Sequence, residues 1–314
     1  MIELSSVTKL YGTVIGVNDI SLSLEPGTYG LLGPNGSGKT TMINLILGQL
    51  RPTIGTVRLF GTNPWTKSRL LRRIGLCPAN EVHYPRMTGY DWVKYLVQLH
   101  GFNSADGHAR AVTALEQVGL AEHMNRPMRN YSLGMRQRAK LAQAMAHEPE
   151  LLILDEPFNG LDPVGRRQMT DLLHEWAKQG RSIIVASHIL HEVEELNPSF
   201  LLISGGRLLA SGAPSEIHEI LADTPSTFSV RSSDPRALAE LLIKHDMADG
   251  IEIDGETLIV STESDLRIQS GLPEIVMENG IVIYEMSSGD DSLKTLFPTL
   301  MQIHRGETRK GTLK

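Results

Sequence analysis

Three short segments hold residue types at spacings that could do chemistry. Gly33-Pro34-Asn35-Gly36-Ser37-Gly38-Lys39-Thr40 fits GxxxxGK[ST] and follows an apolar run, Thr28–Leu32. Glycines at those places let the backbone wrap phosphates with its N–H groups pointing inward, at the positive end of the helix that follows. Lys39 would then reach the β- and γ-phosphates of a nucleotide, and the Thr40 hydroxyl would ligate Mg²⁺. Leu151-Leu152-Ile153-Leu154-Asp155-Glu156-Pro157 is an apolar strand ending in two carboxylates. Asp155 is placed to hold the Mg²⁺, directly or through water, and Glu156 to polarise an attacking water as general base. A histidine after a strand is commonly no more than an exposed side chain. His188, in Ser187-His188 after the run Ser182–Ala186, instead takes the place expected of a γ-phosphate sensor once the other two segments are present.

A fourth segment, Tyr131-Ser132-Leu133-Gly134-Met135-Arg136-Gln137-Arg138, lies between the glycine loop and the acidic strand. Ser132 is well placed as the N-cap of a helix running to His147, and a serine cap beside glycine backbone makes a second anion site. The segment resembles the ABC signature, whose commonest form is LSGGQ, in a YSxGM variant. With the phosphate loop, the acidic strand, Asn159-Gly160-Leu161-Asp162 and Ser187-His188 in that order, residues 1–222 resemble the ATPase subunit of an ABC transporter.

That resemblance implies an α/β fold of the P-loop NTPase type, with a RecA-like core, an antiparallel β subdomain and a helical subdomain. It implies ATP and Mg²⁺ as cofactors and a two-fold, head-to-tail dimer. In that dimer Ser132 and Gly134 contact the γ-phosphate held by the opposite protomer, and Asn159–Asp162 links the two sites. By the same resemblance Tyr11, in Lys9-Leu10-Tyr11-Gly12, stacks on adenine. Gly33, Pro34, Asn35, Gly36, Ser37, Gly38, Lys39, Thr40, Thr41 and Asp162 fall to the nucleotide, Thr40 and Asp155 to the metal, and Glu156, His188 and Lys39 to catalysis. The implied partners are a transmembrane permease and a second ATPase subunit, either the same chain or a paralogue. Membrane contact is through the permease alone, on the inner, cytoplasmic face of the cell membrane.

The chain departs from the family pattern in one place that bears on chemistry. Ile74-Gly75-Leu76-Cys77-Pro78-Ala79 aligns with the family's Q-loop, where a glutamine that touches Mg²⁺ and the water normally follows the proline. Ala79 offers no polar group, and Asn80 and Glu81 are displaced along the chain. Binding is expected to survive, with hydrolysis or its coupling weakened. Leu133, in place of the signature's usual second glycine, and Asn197-Pro198-Ser199, where an aspartate and an arginine are usual, are read as neutral.

The elements that must position these residues follow from periodicity. Ile2–Val7 and Ser21–Glu25 alternate as half-exposed strands, and Thr56–Phe60 and Ile74–Cys77 are short strands. Thr40–Gln49, Pro163–Gln179 and a stretch near His191–Leu196 read as helices. Thr88–Val118 reads as an inserted helical lobe, and Phe200–Ile203 with Arg207–Ala210 as a hairpin. Strands alternating with helices imply a mainly parallel, helix-covered sheet. Pro214–Leu221 closes a first domain, 1–225.

Residues 226–303 form a second. Strand Thr227–Arg231, helix Pro235–His245, strands Gly250–Asp254 and Leu258–Ser261, a weaker helix, strand Ile281–Met286 and helix Ser292–His304 suit a small α+β, ferredoxin-like domain. It resembles the C-terminal extension of stand-alone ATPase subunits of exporters, which often close on Ser-Leu-x-x-x-Phe, as Ser292–Phe297 does. Residues 304–314 are a basic tail expected to be disordered.

Charge points the same way. Residues 1–225 carry 21 basic and 21 acidic side chains, 226–303 carry 5 and 14, and 304–314 carry 4 and 1. No region has the basic excess that nucleic-acid binding favours. One cysteine, Cys77, fits a reducing compartment, and apolar runs are too short to span a bilayer. The rival class is an ABC ATPase acting on DNA, ribosomes or other proteins, which usually brings paired modules, coiled-coil arms or basic insertions. An importer is the lesser alternative.

Overall fold

The computed structural model describes residues 1–80, 84–213, 226–255, 257–262 and 265–288 of the 314-residue chain. They fall into two compact units, Met1–Pro214 and Ser215–Lys314. In the first, β1 (Ile2–Tyr11) pairs antiparallel with β2 (Val14–Leu24) on one side and β4 (Ile54–Leu59) on the other. Both long strands exceed their sequence expectation. Ser6 and Asp19 sit at φ of 47° and 49°, and the register slips beside them. Bulges of this kind hide a strand by breaking its alternation. The consequence is functional: β1 runs on to Tyr11, which faces Val14 across the turn at Gly12.

The second sheet of this unit has the order β5-β6-β7-β3-β8-β9, where β3 is Thr28–Leu32, β5 Ile74–Cys77, β6 Leu151–Asp155, β7 Ser182–Ser187, β8 Ser199–Ser204 and β9 Arg207–Gly212. All pairs but β8–β9 are parallel. Every residue of β6 and β7 is buried, as strands covered on both faces must be. The register puts Leu32 beside Ser187 and Asp155 beside Ala186, so the residues that follow these three strands emerge together at the carboxyl ends of the strands. Ligands of open α/β sheets bind outside those ends. Between the sheets, α1 (Lys39–Ile46) buries Met42, Ile43, Leu45 and Ile46 against Ile2, Leu59, Ile153 and Ile184.

The helical lobe consists of α2 (Gly89–Leu99), α3 (Ser104–Gln117) and α4 (Leu133–Met145), capped by Thr88, Asn103 and Ser132. Helices α5 (Pro163–Lys178) and α6 (Leu190–Glu194) connect the remaining strands.

In the second unit the order along the chain is β10 (Ser226–Ser232), α7 (Pro235–Lys244), β11 (Gly250–Asp254), β12 (Thr257–Thr262), α8 (Asp265–Glu278) and β13 (Ile283–Ser288). The sheet order β11-β12-β10-β13, antiparallel throughout, is the βαββαβ ferredoxin-like arrangement. Phe228, Val230, Leu258 and Val260 of the sheet pack on Leu238, Leu242, Ile268 and Leu272. The expected elements Pro214–Leu221 and Ser292–His304, the boundary at 225 and the tail 304–314 lie outside the described residues.

Candidate nucleotide site

The loop after β3 is built by backbone geometry. A Cβ on Gly33 would collide with the Ile203 carbonyl oxygen, and one on Gly38, at φ 109°, would lie 2.5 Å from the Gly16 carbonyl. Only glycine fits either place. The first turn of α1 is uncapped by any side chain, which leaves its N–H groups to the space the loop encloses. Ser37 is buried and its Oγ lacks a hydrogen-bond partner among the described residues, an orphan that a phosphate oxygen would satisfy.

Lys39, 6% exposed, donates to the Gly33 carbonyl at 2.5 Å and to the Pro34 carbonyl at 3.3 Å. Burial lowers its pKa, and the charges of Glu156 and Asp155 oppose that shift. The ammonium therefore rests on its own loop, one short swing from an anion held there.

At the end of β6, Asp155 Oδ2 accepts from the Thr40 hydroxyl at 3.1 Å. Burial pushes the Asp155 carboxyl up, and the Thr40 hydrogen bond pulls it back. A hydroxyl and a carboxylate converging on one point are the hard oxygen donors Mg²⁺ takes. Among the described residues no group of three or more His, Cys, Asp or Glu is arranged so that it could hold a metal ion by itself. A Mg²⁺ that draws most of its ligands from phosphate and water needs no such cluster.

Glu156 turns out of the strand with φ 51°, a conformation a non-glycine residue adopts at a cost. Its N–H is tied to the Ala186 carbonyl at 2.8 Å, which holds the turn. The turn aims the carboxylate at His188, whose Nδ1 lies 3.0 and 2.9 Å from the two oxygens, and Lys39 Nζ is 3.8 Å away. Ser187 Oγ lies 3.5 Å from Glu156 and 3.4 Å from Glu192, and buried Glu192 pairs with Arg166 at 3.1 Å. One carboxylate is thus fixed from three sides, with a histidine in the orienting position.

Tyr11 is exposed, its hydroxyl 3.4 Å from Thr41 Oγ1 at the start of α1, with Lys9 Nζ 5.5 Å from the ring centroid. A ring facing the loop's outer end is what an aromatic base could stack upon. The structure thus brings Tyr11, the 33–41 loop, Asp155, Glu156 and His188 together.

Ser132 and Gly134 lie elsewhere. The Ser132 Oγ caps α4 by accepting from Met135 N–H at 3.2 Å. The neighbours of Gly134 are the Gly160 carbonyl and Leu161, so the signature rests on the 159–162 turn of its own chain. Asp162 caps α5, accepting from Gly165 N–H at 2.8 Å.

Four further residues escape the sequence reading. Gln137, Lys140, Gln143 and His147 stand at spacings of three, three and four on or just past α4, facing the β5 edge. Gln137 reaches the Glu156 carbonyl at 3.3 Å and Cys77 Sγ at 3.9 Å, Gln143 the Leu76 carbonyl at 2.6 Å, and His147 the Ile74 carbonyl at 3.0 Å. The Lys140 ammonium takes the carbonyls of Pro78, Ala79 and Asn80 at 2.8, 3.4 and 3.3 Å. Their shared helical face was the available signal. Cys77, fully buried, has its thiol pushed up to about 12 by that burial.

The family model for ABC transporters matches residues 17–159. The bacitracin transport ATP-binding protein BcrA of Bacillus licheniformis is 33% identical over 96% of this chain and 97% of its own. BcrA of Enterococcus faecalis is 36% identical over 96% of both. The daunorubicin/doxorubicin resistance ATP-binding protein DrrA of Streptomyces peucetius is 29% identical over 95% and 92%. Among solved structures, an ATP-binding subunit of an ABC transporter superposes with a TM-score of 0.64 at 26% identity, over 70% of this chain and 92% of that one. A dimeric bacterial ABC transporter cassette shares the fold, with a TM-score of 0.63 at 23% identity over 68% and 98%.

Proposed function

The chain belongs to the ATP-binding subunits of ABC transporters, ATPases that power a separate permease, and we propose that it serves export as one half of a head-to-tail dimer. The names of the relatives, which cite bacitracin transport and daunorubicin/doxorubicin resistance, support the direction. Among the described residues no helix is long and apolar enough to cross a membrane, so the pathway belongs to the permease. The subunit works at the inner face of the cell membrane, held there by that partner.

The division of labour follows the geometry. The 33–38 backbone and the α1 N-terminus bind the phosphates, and Lys39 leaves its own carbonyls to neutralise them. Thr40 and Asp155 would hold Mg²⁺, which supplies charge neutralisation on the phosphates when bound. Glu156 takes the proton of the attacking water, and His188 holds its carboxylate in line. Tyr11 stacks on the base. Ser132 and Gly134, which face their own 159–162 turn and not their own loop, act on the nucleotide of a second subunit, either a copy or a paralogue. The observation that carries the reading is Glu156, set in a costly backbone conformation and bracketed by His188, Ser187 and Lys39.

Glu156→Gln removes the base and keeps the shape. Steady-state phosphate release should fall about 10²- to 10⁴-fold while ATP affinity changes little. The ATP-loaded variant should run as a dimer in gel filtration. Hydrolysis at the wild-type rate would sink the assignment.

A further inference from the structure

Ala79 has no polar side-chain group with which to hydrogen-bond its loop to a neighbour, yet the loop is bound. The three carbonyls of 78–80 converge on the Lys140 ammonium, about two turns along α4 from its cap, Ser132. Lys140 is only 4% exposed. Burying an ammonium carries a desolvation cost that a methionine of similar volume would avoid, so a position that asked only for packing would be poorly served by lysine. One turn earlier on the same helix, Gln137 holds the carbonyl of Glu156. The two side chains therefore tie a single rigid helix to the Q-loop backbone and to the backbone of the candidate base. Between them lies a small cavity of about 50 Å³ lined by Ala79, Met128, Leu133, Gln137, Lys140 and Asn159 among others, its walls mostly apolar.

We propose that Lys140 is a positioning residue of the ATPase reaction: its ammonium replaces the tether that a Q-loop side chain would give, coupling residues 78–80 to the signature helix. The proposal deepens the function above and rests on it. When Ser132 is drawn onto the nucleotide of the opposite subunit, α4 moves, and through Lys140 the 78–80 loop moves with it. Lys140 touches no reacting atom. Its effect passes through the loop and, at the other end of the same face, through Glu156.

The test compares Lys140→Met and Lys140→Arg in the full-length chain. Misplacement of a catalytic group by about 1 Å can cost about 100-fold in rate, and a smaller displacement costs less. Lys140→Met should lower kcat for ATP by about 10-fold with KM within about two-fold, the mark of an interaction made after binding. Hydrogen exchange at the amides of 79–80 should accelerate in the same variant, and Lys140→Arg, which keeps the donors, should restore both. Unchanged kcat and unchanged exchange in Lys140→Met would overturn the proposal. So would a variant that loses melting temperature and ATP affinity together and is not recovered by arginine, since that is the behaviour of a plain structural residue. A wild-type chain without ATPase activity would remove the proposed function, while the exchange data would still decide whether the tether exists.

Discussion

In the first unit Lys39, Lys140, Asp155 and Glu192 lie buried with their charges, whereas in the second the buried polar groups among the described residues are the hydroxyls of Ser232 and Thr262. Both units pack helices on sheets, and both have a closed apolar cluster. The second is what packing alone requires. The first carries groups whose desolvation costs several kcal/mol each unless something answers them. What answers them lies past the carboxyl ends of the strands: loop carbonyls for Lys39, the Thr40 hydroxyl for Asp155, Arg166 for Glu192, the 78–80 carbonyls for Lys140. The first unit therefore buries charge that packing alone does not ask for, as the proposed nucleotide site would require.

The largest effect should come from removing the charge that waits for that occupant. Lys39→Met should cost about 1,000-fold in ATP affinity by fluorescence titration, as truncation of a buried charged contact does. Its melting temperature should hold or rise, because the desolvation cost goes with the charge. A lower melting temperature with intact affinity would invert the comparison. In the second unit, Leu258→Ala should destabilise by about 3 kcal/mol in urea unfolding, the usual cost of a cavity in a sealed core. ATP affinity should not change.

The first unit should also be the acid-sensitive one. Burial, with the His100 ring stacked at 3.8 Å, lowers the His147 pKa from 6.5 to about 4. The folded state resists a proton that the unfolded state accepts, so His147 favours folding fully above pH 6.5 and loses that contribution as pH falls towards 4. The loss should reach about 3 kcal/mol at most. His147→Gln, which keeps a donor for the Ile74 carbonyl, should flatten the dependence of the urea midpoint between pH 7 and pH 4.5. An unaltered slope would place the sensitivity elsewhere.

The smallest test is the sharpest. Ser132 and Asp234 cap helices in the two units, each accepting from the N–H three residues on, at 3.2 and 3.0 Å. Alanine at either should cost about 1 kcal/mol of stability. Only Ser132→Ala should also lose ATP hydrolysis, and equal activity in both variants would deny the signature its part in the chemistry.

How much of this could be read from residue order depends on what encodes it. The phosphate loop was legible because its shape is set by positions such as Gly33 and Gly38, where no other residue fits. The carboxyl ends of the strands were legible too, since buried strands such as β6 end in the carboxylates that matter. Strand lengths near Tyr11 were not, because Ser6 and Asp19 break alternation where the chain bulges and continues. The tethers along α4 were missed for a related reason. Periodicity counts apolar residues, so Gln137, Lys140, Gln143 and His147 look like a solvated face until β5 is laid against them.

Cys77 offers a practical dividend. It is the chain's one cysteine, buried at the end of β5 beside α4, where burial pushes its thiol up to about 12, so thiol reagents at neutral pH should pass it by. The natural sequence is therefore a ready background for site-directed labelling. A spin label or fluorophore carried by a cysteine introduced on the exposed surface of α3 would report distances across a closing pair of subunits, with no native thiol to remove first.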